Sequence, residues 1–60
     1  MNRTDEEWEK ARKHTLEMRE AGMMIGPSGI FYVIGCNEYL SRFEKGERTE
    51  ELYQSMIGLH

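Results

Sequence analysis

Sixty residues with a single cysteine, Cys36, must fold without an internal disulfide. A chain of this length buries only about 60% of the surface its unfolded form exposes, so its core is thin and its stability small. Such chains are usually held by disulfides, a metal or a partner chain. A structural zinc needs four ligands, mostly Cys and His, and here His14, Cys36 and His60 lie far apart. No metal or other cofactor is expected. Two routes to stability remain: economical packing of one domain spanning residues 1–60, or burial of an apolar face in an oligomer or a target.

The first segment opens on Thr4-Asp5-Glu6-Glu7. Thr4 can cap a helix, and Glu7 can return a bond to the cap amide. The three acids sit at the positive end of the helix dipole. With Gly22 as a stop, this predicts a helix over about Asp5–Ala21. Trp8, Ala11, Thr15, Met18 and Gly22 fall on one stripe, with Leu16 at its edge. Glu6, Glu9, Lys10, Lys13, Glu17 and Glu20 fall opposite, offering Glu6–Lys10 and Glu9–Lys13 pairs.

Gly26-Pro27-Ser28-Gly29 then separates Met23–Ile25 from the branched and aromatic run Ile30–Ile34. Turn residues between such runs predict a β-hairpin, with Gly35 ending its second strand. Asn37 is a suitable cap for a short helix over about Glu38–Lys45, stopped by Gly46, and Thr49 for a third helix starting at Glu50. The expected fold is α+β: a small single domain in α-β-β-α-α order, with a two-stranded antiparallel hairpin packed against helices. Its second strand is apolar on both faces, and a two-stranded sheet has nothing obvious to cover the second. That excess points to a partner.

Little here suggests catalysis. The glycine-rich loop lacks a lysine and contains a proline, unlike a phosphate cradle. Cys36 has no convincing general base nearby and reads as a packed thiol. The chain is also short for a pocket that excludes water. An enzyme is not expected. Eleven acidic against eight basic residues give a net charge of −3, which argues against direct nucleic-acid binding. Arg12 and Arg19, beside Trp8, read as side chains covering the core edge rather than a nucleic-acid contact.

The charged stretch Met1–Glu20 is unlike a signal peptide, and the longest apolar run is far too short to cross a bilayer. With a lone unpaired thiol, this points to a soluble protein of a reducing cytoplasm and to no membrane partner.

Two surfaces stand out for protein binding. Asp5, Glu6 and Glu9 gather at one end of the first helix, and Glu44, Glu47, Glu50 and Glu51 at the last turn; together they would suit a basic site. Met23, Met24 and Met56 offer an adaptable contact surface, and Met24 and Tyr32 mark an alternative apolar interface on the hairpin. In size and composition alone, the chain resembles short, mildly acidic phage proteins that block host machinery, among them anti-CRISPR proteins; the likeness covers no motif and assigns no residue. The expected function is inhibition of a larger complex by surface contact, the specific form being acidic occlusion of a nucleic-acid-binding site in a host cytoplasm. The alternatives are a self-associating regulatory module, resembling an antitoxin dimer, and a small nucleic-acid binder. Monomer and homodimer both fit.

Overall fold

Thr4 starts the structure as expected. In the computed structural model, which describes residues 3–60, its hydroxyl accepts from the Glu7 amide and the Glu7 carboxylate accepts from the Thr4 amide at 2.9 Å. Helix α1 runs from Asp5 to Met24. Gly22 does not stop it. The chain turns instead at Gly26, whose φ of 80° suits glycine, and Pro27 follows at the start of a 3-10 turn over Gly26–Gly29. Helix α2, Ile30–Glu44, follows directly, and Lys45 and Gly46 end it. Thr49 caps helix α3, Glu50–Ile57, its hydroxyl accepting from the Leu52 amide at 3.2 Å.

The β-hairpin is therefore absent. The described residues contain no strand, and the fold is all-helical rather than α+β. Met23–Ile25 completes α1, and Ile30–Ile34 forms the first turns of α2. Gly35 and Asn37, read as a strand end and a cap, both lie inside α2. The physical reason is that branched residues favour strands by only about 1 kcal/mol, and an isolated two-stranded hairpin is marginal. A helix gains more here. It lines up Val33, Cys36, Leu40 and Phe43 at helical spacing and lays them toward α1.

α1 and α2 form an antiparallel hairpin. Trp8 packs near Phe43, with ring centroids 5.7 Å apart, while Gly22 meets Tyr32 and Val33 at the other end. That end is very tight. A Cβ on Gly29 would lie 2.1 Å from the Gly22 carbonyl oxygen, so only glycine permits this approach. α3 runs parallel to α1: Arg3 bonds Glu50 at its start, and His14 Nε2 lies 2.6 Å from the Leu59 carbonyl oxygen at its end.

The core sits where all three helices meet. Trp8 and Ala11 from α1, Leu40 from α2, and Leu52, Tyr53 and Met56 from α3 are buried together. Trp8 meets Tyr53 edge-on at 5.3 Å. Arg48 lies over the Phe43 ring at 3.8 Å and Arg3 over Tyr53 at 4.0 Å, closing this end of the core with their side chains. α3 has only 8 residues against 20 in α1, roughly 12 Å of cover for roughly 30 Å of helix. The far half of the hairpin therefore has no third helix over it, and only His60, beyond the end of α3, reaches Tyr32 there. No helix among the described residues is long and apolar enough to cross a membrane. Met1 and Asn2, part of the expected 1–60 domain, lie outside the described residues.

Candidate functional site

The acidic residues gather at the packed end, but arginines hold most of them. The Arg3–Glu50 contact brings the starts of α1 and α3 together. Arg3 also reaches Glu7 at 3.1 Å, and Arg42 spans Glu47 and Glu51 across the last turn. Glu9 pairs with Arg12, so the expected Glu9–Lys13 pair is not formed, nor is Glu6–Lys10. Charge-assisted bonds of this kind favour the ionised carboxylate. The Arg3 guanidinium, helped by the Gln54 amide, holds Glu50 down to about 2. Arg42 and the Thr49 hydroxyl depress Glu47, Arg12 depresses Glu9, and the Thr4 amide and Arg3 depress Glu7. Among the described residues, Asp5, Glu6 and Glu44 are exposed and make no ion pair. Of the seven acidic candidates, these three alone can turn their full charge to a partner.

The opposite end is different in kind. Residues 21–37 contain no charged side chain. They form the end of α1, the 3-10 turn and the start of α2, which is the half that α3 leaves uncovered. Met23, Met24, Ile25, Ile30, Phe31 and Ile34 all project into solvent there, Phe31 at 84% and Met24 at 81% exposure. Two shallow apolar hollows flank them. One, about 350 Å³, is lined by Met23, Pro27, Ile30 and Val33; the other, about 420 Å³, by Met18, Ile25, Tyr32 and His60. Tyr32 is half-buried on the second side, its hydroxyl donating to the His60 carbonyl at 3.4 Å, and burial pushes its phenol pKa up. Met24 thus stands fully in the apolar cap and Tyr32 at its margin. Met56, grouped with the other methionines by sequence, belongs to the core.

The exposed Ile30, Phe31 and Ile34 were missed as individual contact residues. The sequence signal was the same apolar excess on the Ile30–Ile34 run; it needed the helical register to say which side chains face outward. Arg3 and Arg42 were missed too, because their partners lie across turns or far along the chain.

Cys36 sits inside α2 rather than at a helix start, fully buried, and burial raises its thiol pKa, the opposite of an activated nucleophile. Arg19 donates to Asn37 at 2.9 Å, and Arg12 is taken by Glu9. Among the described residues no group of three His, Cys, Asp or Glu side chains could hold a metal. No family model, no curated protein and no solved structure gives a significant match to this chain.

Proposed function

We propose that this chain is a small binding protein that acts by surface contact, and that it docks through the apolar cap at the turn between α1 and α2. One observation carries the reading: six large apolar side chains stand in water on a stretch without charge. Taking roughly 200 Å² as the extent of each side chain, they present about 800 Å², beyond the roughly 300–600 Å² of the largest patch on a typical monomer. A chain with so thin a core gains nothing for its own fold from this surface, whereas a partner would remove it from water. Acting by occupying a site on a larger complex is the activity such a surface supports.

Acidic docking on a basic site is the second reading. It is favoured by the way the fold brings the starts of α1 and α3 to one end, and it rests on Asp5, Glu6 and Glu44. Binding kinetics on a target captured with the immobilised chain separate the two. For apolar docking, Phe31→Glu speeds dissociation at least about tenfold and salt changes association little, as expected for a buried aromatic anchor. Acidic docking instead slows association when Asp5, Glu6 and Glu44 are changed to Lys, and slows it further as salt rises. Full affinity in Phe31→Glu, with helicity unchanged, would overturn the apolar reading.

A further inference from the structure

We infer that the occupant of the apolar cap in the free protein is a second copy of this chain, in a two-fold dimer of helical hairpins. The inference rests on the reading of the cap as the docking face. Three features of the molecule carry it.

The first is area. About 800 Å² of apolar surface is close to the roughly 800 Å² that each partner contributes to a standard stable interface. A small ligand in either flanking hollow would leave most of the cap in water. A second hairpin end is large enough to cover it.

The second is charge. In a two-fold interface each patch meets its own copy, so any charge near the axis meets a like charge. Residues 21–37 contain none, and the cap can face itself without that cost. A surface built for a charged target would be expected to set complementary charges among its anchors, whereas here Arg19, Glu20 and Glu38 stand only at the margin.

The third is shape. The net charge of −3 makes two copies repel. The molecule is 38 Å long, and the carboxylates of α3 and of the start of α1 lie at the end away from the cap. Copies joined at their caps hold these groups farther apart than the screening length of about 8 Å at physiological ionic strength. The hairpin half that α3 fails to cover then receives its missing layer from the other copy, in the manner of paired helical hairpins in a four-helix arrangement.

The experiment is solution mass over a wide dilution series, by light scattering or sedimentation, on the wild type and on Phe31→Asp and Ile34→Asp. The wild type is expected to move from 7.1 kDa to twice that mass and stop there. Each variant alters an exposed helical position, retains its helical circular dichroism, and raises the dimer dissociation constant at least tenfold. Glu17→Lys, outside the cap, leaves the dimer unchanged. A second measurement needs no substitution: peroxide oxidises Met23 and Met24 more slowly in concentrated than in dilute protein, relative to buried Met56. A wild type of single-chain mass throughout overturns the second-copy inference and leaves the docking face to be tested on a foreign target. A mass that climbs past two copies overturns the closed dimer. A dimer unaffected by both variants, with no protection of Met23 and Met24, overturns the docking face as well.

Discussion

Gly29 and Gly35 are six residues apart, and the structure asks opposite things of them. At Gly29 an added methyl would meet the Gly22 carbonyl oxygen at 2.1 Å and an Ile25 methylene at 2.7 Å. The first obstacle is backbone, so relief requires the two helices to part. Gly29→Ala is expected to cost about 2–3 kcal/mol, at the upper end of overpacking penalties. At Gly35, inside α2, the same methyl meets nothing within 4 Å. There the glycine only weakens the helix, and Gly35→Ala should gain about 0.5–1 kcal/mol. Thermal melts of the two variants check both signs. A Gly29→Ala protein as stable as wild type would mean that the helix crossing is looser than described. Both residues were read from the sequence as punctuation around a strand. Composition shows that a glycine is present, but the reason for it lies in what stands opposite.

Helices α1 and α3 were readable from the sequence because their signals are local. Thr4, Glu7 and Thr49 sit within three residues of the amides they cap, and the Trp8–Ala11–Thr15 stripe follows from helical spacing alone. The start of α2 was not readable in the same way. Ile30–Ile34 is a run of five apolar residues, and a run that short satisfies strand and helix patterns equally. What decides it is the packing of Val33 and Tyr32 on Gly22, a contact between separate helices. The candidate site followed the same division: the acidic groups were visible in the sequence, and Glu9–Arg12 is a local pair, while the arginines that hold Glu47, Glu50 and Glu51 reach them across a turn or from another helix. Those pairs make the fold sensitive to acid, and the docking of α3 with it through Arg3–Glu50 and Arg42–Glu51. Glu50, Glu47, Glu7 and Glu9 all have folded values below the ordinary 4.5, Glu50 at about 2. Their stabilisation is therefore complete above pH 4.5 and is lost as pH falls from there toward 2. The groups are exposed, so the effect is modest and screened by salt. The melting temperature should fall through this window, less steeply in high salt, and less steeply in Arg3→Met, which lacks the guanidinium shared by Glu7 and Glu50. A melting temperature constant from pH 5 to 2 would show that these pairs contribute nothing.

Across the whole molecule, one feature keeps time. The Cys36 sulfur is sealed between the helices, its side chain has no exposed surface, and burial disfavours the thiolate that a labelling reagent attacks. A disulfide reagent can reach it only while α2 has swung away from α1. Each labelling event then marks one such opening, and the lone thiol leaves no ambiguity about which site reacted. With fast reclosing, the labelling rate follows the population of the open form. With excess reagent, it approaches the opening rate itself. The labelling half-life should lengthen in Gly35→Ala, shorten in Gly29→Ala, and lengthen with protein concentration if a second copy must leave before the hairpin can open. Labelling at the rate of a free peptide thiol would mean that the seal does not exist. The buried sulfur thus becomes a clock, counting how often this small fold comes apart.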